Sequence, residues 1–298
     1  MQYYSGKAIL LRENFSLDNS INKNNLIILK EMKYMKKTQS TIFHDKIAEK
    51  YGSEYSGYYW KLYFDITFAN IKKYLPKKDS LILDAGGGTG FWSRKLAKLG
   101  FRMVCTDIAQ KMLDAGSKIA KKEKLSDKIE FKYADIMSMD DFNSNSFDMV
   151  IAEGDPVGYC GNPQKAVKEL SRVVKKGSYV VISIDSFFSR LNRMIAKRDF
   201  SQLSILEKKH KTIFPNGDYL EHDFTVRELR NLFENNGLKV VEIIGKPVFA
   251  RSISRDEIEK VLSDKKMYNK ILRLELKYNN EPSIVGLAGH IQIVGKKI

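Results

Sequence analysis

Cysteine is almost missing from this 298-residue chain: Cys105 and Cys160 are too few for a disulfide framework and lack zinc-ligand spacing. Histidine is nearly as scarce, with four residues, and no pair of them falls at metal-ligand spacing with an acid, so no metal is expected. Long apolar runs are lacking as well: Leu26-Ile-Ile-Leu29 is far short of the roughly 20 residues that a membrane helix needs. With no signal-peptide core at the start, the expected location is the cytoplasm. Acidic residues are the minority, 36 Asp and Glu against 51 Lys and Arg, leaving a net charge of +15.

Such a balance ordinarily raises nucleic acid as a partner. Arginine, however, is the lesser part of the basic complement, and lysine comes in scattered pairs such as Lys121-Lys122, Lys175-Lys176 and Lys296-Lys297. A nucleic-acid groove more often concentrates arginine with interleaved aromatics, so a solvated surface is the favoured reading and a nucleic-acid partner the lesser one.

What is present is ordered. The apolar run Leu81-Ile-Leu83 leads into Asp84-Ala-Gly-Gly-Gly-Thr-Gly90, and a helical stretch is predicted from Phe91 to Leu99. Gly86, Gly88 and Gly90 permit positive φ and a close backbone approach to a ligand. A dinucleotide fingerprint would need its third glycine where Phe91 stands, and Asp84 would face a cationic ligand. Strands ending on an acid then recur at Phe101–Asp107, Lys128–Asp135 and Ser146–Glu153. Helical spacing over Gln164–Val174 stops at Lys176-Gly177, before a fifth strand at Tyr179–Ile184. Thr225 and Glu228 form a capping box for a helix ended by Gly237, and Leu238–Ile244 and His290–Val294 supply the last strands. This alternation implies a mostly parallel seven-stranded sheet with helices on both faces and ligands outside its carboxyl edge.

Asp84 to Gly90, Asp107-Ile-Ala-Gln-Lys-Met-Leu113 and Phe147-Asp-Met-Val150 resemble the motifs of class I S-adenosylmethionine-dependent methyltransferases, of the menaquinone and ubiquinone small-molecule type. The match runs from roughly Ile47 to Val181. The resemblance implies a Rossmann-like α/β fold and S-adenosylmethionine as cofactor. It implies that Asp84, Ala85, Gly86, Gly88 and Gly90 hold the methionine and ribose portion, that Asp107 takes the ribose hydroxyls, and that Asp135 and Ile136 meet the adenine. Ile108, Met112, Glu153 and Tyr51 complete the expected cofactor contacts. Gly87 departs from the small side chain of many relatives, a change not expected to abolish binding. A domain of this shape using NAD, or a dead scaffold, is the alternative.

Outside the cofactor half, residues 1–40 read as an extension, either flexible or the product of an upstream start, since Met35 would begin a more typical chain. Residues 41–298 form the expected domain, with a cap at about 186–222 and a helical insertion at about 254–280. An aromatic segment, Phe43 to Phe68, brings Tyr51 and Tyr55 toward the pocket. The loop Glu153-Gly-Asp-Pro-Val-Gly-Tyr159 lacks the Asn/Asp-Pro-Pro-Tyr/Phe tetrapeptide of nucleic-acid amino-methyltransferases. Its Asp155 and Tyr159 are candidate catalytic groups, with His222 the favoured acid–base histidine. Tyr55, Phe187 and His290 are candidate substrate contacts; His44 and His210 rank lower. The leading function is methylation of a small or medium organic acceptor at oxygen, nitrogen or carbon. An RNA or protein methyltransferase is the runner-up, a non-catalytic binding protein the third, and oligomeric state is not legible.

Overall fold

The computed structural model describes residues 38–53, 55–214 and 219–298. The proposed N-terminal extension therefore lies outside the described residues, apart from its end. The described residues form nine strands: β1 (Leu81–Ala85), β2 (Arg102–Asp107), β3 (Ile129–Tyr133), β4 (Phe147–Ala152), β5 (Val174–Asp185), β6 (Lys211–Ile213), β7 (Leu220–His222), β8 (Leu238–Lys246) and β9 (His290–Lys297). Seven of them make one sheet in the order β3-β2-β1-β4-β5-β9-β8, and β6 pairs only with β7. Neighbours from β3 to β5 are parallel, while β9 runs against both β5 and β8.

Successive residues of a strand face opposite sides, and each side of this sheet has its own core. Leu83, Val104, Val150, Ile182 and Ile293 pack with Leu170 and Phe233 on one face; Ile82, Met103, Met149, Val181 and Val294 pack with Trp92 and Leu96 on the other. With both faces covered, the central strands read as near-continuous apolar runs. The strand order reverses between β1 and β4, and the crevice beyond the carboxyl ends of those strands is the place such sheets reserve for ligands.

The local devices explain where elements stop. Thr225 accepts from the Glu228 N–H and Glu228 accepts from the Thr225 N–H, so the expected capping box starts the helix Val226–Glu234. Gly177 does not end a helix as the sequence suggested. The preceding helix, Pro163–Val173, has already ended, and Gly177 takes a φ of +81° inside β5 where the pairing with β4 shifts register. A bulge and a helix stop share the same glycine signal.

The predicted cap folds into the helices Phe187–Lys197 and Leu203–Lys209 followed by the β6–β7 hairpin. The predicted aromatic segment divides into the helices Gln39–Ile47 and Tyr58–Ile71, joined through Tyr51 and Tyr55. The second insertion is two helices, Arg255–Ser263 and Lys265–Tyr278, packed on Tyr58–Ile71 through Tyr59, Leu62, Ile258 and Leu262. Glu259 from that insertion accepts from the Tyr58 and Tyr59 N–H groups at 2.8 and 3.1 Å, satisfying donors that Gly57 cannot. Among the described residues no helix is long and apolar enough to cross a membrane.

Candidate active site

The turn after β1 runs from Gly86 to Gly90 into the helix Phe91–Ala97. Gly86, Gly88 and Gly90 take φ of +68°, +56° and +72°, the left-handed region that glycine enters without strain. The Gly87 N–H donates to the Thr106 carbonyl on β2, and the Gly88 N–H to Asp107 Oδ2, both at 2.9 Å. Asp84 Oδ2 accepts from the Ser93 N–H at 3.1 Å and its hydroxyl at 2.7 Å. Gly87, read from the sequence as a harmless departure, is required by this packing. A Cβ there would lie 2.7 Å from both the Asp84 carboxyl carbon and Cys105 Sγ.

Asp84 Oδ1 is buried with no hydrogen-bond partner. Burial pushes this carboxyl up to about 6, with Glu153 and Asp107 adding to the rise and the Ser93 donors opposing it. Asp107 also accepts from the Ala109 N–H at 2.8 Å; burial raises it, opposed by that N–H and by His44. Tyr51 and Met112 pack with Ala48 and Ala109 into a small cluster. The Met112 methyl lies 3.4 Å from where a Cβ would stand on Gly88, so this cluster abuts the turn. Asp135 Oδ1 accepts from the Met137 N–H at 2.8 Å. Ala85 and Ile136 are core residues, which leaves their backbone for any ligand contact; Ile108 is half-buried.

Across the crevice stands the loop after β4. Asp155 takes a φ of +72° and starts the short helix Pro156–Tyr159 by accepting from the Gly158 N–H at 3.1 Å, while its other oxygen accepts from the Asp185 N–H at 3.2 Å. A Cβ on Gly86 would meet Pro156 at 2.3 Å, so this loop and the glycine turn touch. Beyond Asp155 lies a buried charge cluster. Arg190 pairs with Asp185 at 2.5 Å, with Asp223 at 2.7 Å and with Glu221. His290 Nε2 lies 3.0 Å from Asp185 Oδ1. Asp155, Asp185 and Glu221 each place an oxygen within 4.8 Å of the others. Burial, then the Asp185 and Glu221 charges, raise Asp155 well above the carboxylate range; burial, then Asp185, push Glu221 up to about 8. Asp185 stays low despite its burial because His290 and Arg190 hold it ionised.

Aromatic rings converge beside these acids. The His44 ring centroid lies 6.1 Å from those of Tyr159 and Tyr219 and 6.2 Å from that of Tyr51. Tyr219 stacks on Phe214 at 4.9 Å and meets Tyr159 at 5.6 Å, and Tyr51 meets Tyr55 at 5.0 Å. The helix carrying His44 is pinned by Asp45, whose Oδ1 accepts the Lys111 N–H at 3.0 Å.

Three expected residues are not gathered here. His222 lies on β7 between Glu221 and Asp223, and strand alternation turns it away from the side on which those acids meet Arg190. Its charged neighbours are Lys211, Glu228 and His210, and burial lowers it to about 4. Phe187 sits on the same far side, its ring 4.3 Å from that of His210. Glu153, expected against the cofactor, is fully buried in an ion pair with Lys246 and also accepts from Gln292 Nε2. Lys246 in turn donates to Thr67 Oγ1 at 3.1 Å. Sequence reading passed over Tyr219 and Phe214 and ranked His44 low. The one signal for His44 was its place in the aromatic segment; nothing local marked the other two.

Residues 82–177 match the family described as a methyltransferase domain. The tRNA 5-carboxymethoxyuridine methyltransferase of Escherichia coli O157:H7 is 23% identical over 218 residues, covering 72% of this chain and 79% of that protein. A ubiquinone biosynthesis O-methyltransferase of Colwellia psychrerythraea is 28% identical over 171 residues, covering 56% of this chain and 64% of that protein. The solved structure of a SAM-dependent methyltransferase from Methanosarcina mazei superposes with a TM-score of 0.55 at 21% identity, over 76% of this chain and 96% of that one.

Proposed function

Because this chain is a class I S-adenosylmethionine-dependent methyltransferase, we propose that its acceptor is a small or medium organic molecule bound between the glycine turn and the aromatic wall. The observation that carries this reading is the wall itself: His44, Tyr51, Tyr159 and Tyr219 come from separate segments and converge beside the turn. Rings meeting at such distances suit a compact acceptor and exclude water from it.

The residues fit the cofactor. Asp84 Oδ1 is a buried acceptor in want of a donor, and the turn has no side chains at Gly86 to Gly88. S-adenosylmethionine supplies a methyl group on a sulfonium. In this reading Asp84 and the Gly86–Gly90 backbone hold its amino-acid end, Asp107 accepts from the ribose hydroxyls, and Asp135 with the Ile136 backbone meets the adenine. A carboxylate oxygen has two lone pairs, so Asp107 can keep its backbone donors and still accept. Asp155 and Tyr159 position the acceptor, and Asp155, once ionised, can receive its proton, whereas burial keeps the Tyr159 hydroxyl protonated; His44 replaces His222 as the nearby imidazole. Alignment and exclusion of water are the main contributions such a direct displacement asks of the protein.

A second reading is an RNA acceptor. It is favoured by the tRNA-modifying relative, which matches over most of this chain, and by the net charge of +15. The test is to incubate the protein with methyl-labelled cofactor and a cell extract, then separate small molecules from RNA and protein. Label in the small-molecule fraction is expected. Label confined to RNA, with binding that survives physiological salt, would replace the first reading with the second.

A further inference from the structure

The buried acids around Arg190 are not balanced by the cations that touch them. Asp155, Asp185, Glu221 and Asp223 come together, and among the described residues Arg190 pairs with three of them and His290 with Asp185, which the more distant Arg251 also favours. Glu221 Oε2 is buried with no hydrogen-bond partner, and Glu221 is 1% exposed. An unpaired carboxylate oxygen at that depth costs free energy, so burial raises Glu221 and the empty site holds a proton there, a place that a bound cation can take. Tyr219, 7% exposed, buries its hydroxyl near that of Ser40. Burial, then the charges of Glu221 and Asp155, raise the Tyr219 hydroxyl, as burial, then Asp155 and Asp185, raise that of Tyr159. Carboxylates and the faces of tyrosine rings share one preference, for positive charge.

We propose that Asp155, Asp185 and Glu221, with the rings of Tyr159 and Tyr219 beside them, bind a cationic nitrogen of the methyl acceptor, which is therefore an organic amine. This rests on the small-molecule reading above and narrows it. Position supports it: Asp155 precedes Pro156, which packs against Gly86 of the turn, so a nitrogen held there stands next to the methyl donor's place. An organic monocation suits the site better than a divalent metal. A metal would sit beside the Arg190 guanidinium already bonded to two of the same acids, and tyrosine hydroxyls that burial keeps protonated are poor ligands for it. An ammonium must also lose one proton before its nitrogen carries a lone pair; Asp155, ionised by the cation beside it and more basic than an exposed carboxylate because it is buried, takes that proton and passes it to water.

The test uses the whole protein saturated with S-adenosylhomocysteine, with butylammonium chloride as the probe, sodium butyrate and magnesium chloride as controls at matched ionic strength, and thermal unfolding as the readout. Butylammonium is expected to raise the Tm saturably and butyrate to leave it unchanged. Glu221→Gln should weaken the butylammonium response about tenfold, the scale of one charge-assisted contact, while its response to S-adenosylhomocysteine stays intact. Asp155→Asn serves as the second variant if Glu221→Gln fails to bind S-adenosylhomocysteine. No butylammonium response, an undiminished response in both variants, or a saturable magnesium response in its place overturns the inference. If it falls while labelled methyl still reaches small molecules, the inference fails alone; if label reaches only RNA, the reading beneath it has failed.

Discussion

Between Leu81 and Asp107 the site is built from near neighbours in the chain, whereas the wall opposite gathers His44, Tyr159 and Tyr219 from segments with the rest of the domain between them. The first half is backbone geometry: three glycines at positive φ, their N–H groups tied to Thr106 and Asp107. The second is side-chain convergence, rings and carboxylates meeting only because the sheet brings their loops to one edge. Backbone-built sites depend on one residue type at each position and break when a Cβ is added. Convergent sites depend on every segment that frames them, and tolerate change at each one more gradually. Glu153 and Asp155 mark the border: two residues apart, the first is sealed in an ion pair with Lys246 and the second opens the acid cluster.

The largest effect should come from that border. Lys246→Ala leaves Glu153 buried and unpaired, and a loss of about 3–5 kcal/mol in urea unfolding is expected, with Glu153→Gln/Lys246→Met recovering most of it. If Lys246→Ala costs no more than a surface change, the pair does not join the two halves. Next is Gly87→Ala, whose Cβ cannot fit between Asp84 and Cys105; about 1–3 kcal/mol of stability and the Tm rise with S-adenosylhomocysteine should both be lost. An intact Tm rise would show that the turn is less dependent on its backbone than the comparison holds.

The opposite half should respond by degrees. Asp155→Asn and Tyr159→Phe are each expected to lower kcat on the acceptor about tenfold, roughly 1.4 kcal/mol of barrier, with the affinity for S-adenosylhomocysteine unchanged. His222→Ala should stay within about twofold, as a change away from the site does. Equal losses at His222 and Asp155 would return His222 to the pocket.

The smallest signal is a pH slope. Glu221 is raised to about 8 in the fold, so between the ordinary glutamate value and pH 8 the native state holds a proton that the unfolded chain has released. Its contribution to stability is therefore fully present at low pH and lost as pH rises toward 8. Glu221→Gln removes that dependence, so the stability of the variant relative to the native protein should climb from pH 5 to 8 and then level. A flat difference would mean that Glu221 is already paired, against the unbalanced cluster.

How much could be read beforehand follows the same division. The glycine turn, the acids at or just past the ends of β1 to β3 and the Thr225 capping box are local patterns, and each stands close to where its spacing put it. Gly177 misled because a bulge and a helix stop look alike from one glycine. His222 misled because its sequence place beside the Thr225 helix says nothing of strand face, and the β6–β7 hairpin, short and polar, gave no strand signal to set that face. The paired fates of Glu153 and Lys246 lie 93 residues apart and have no local trace at all.

By itself the sequence determined the class of fold and the succession of strands and helices along the chain, because hydrophobic period, glycine and caps act within a few residues. Only the tertiary structure decided which acids are neutralised and which stand open, and which histidine joins the tyrosines. Burial and charge pairing are properties of neighbours in space, and here those neighbours arrive from distant parts of the chain, as Glu153 and Lys246 do.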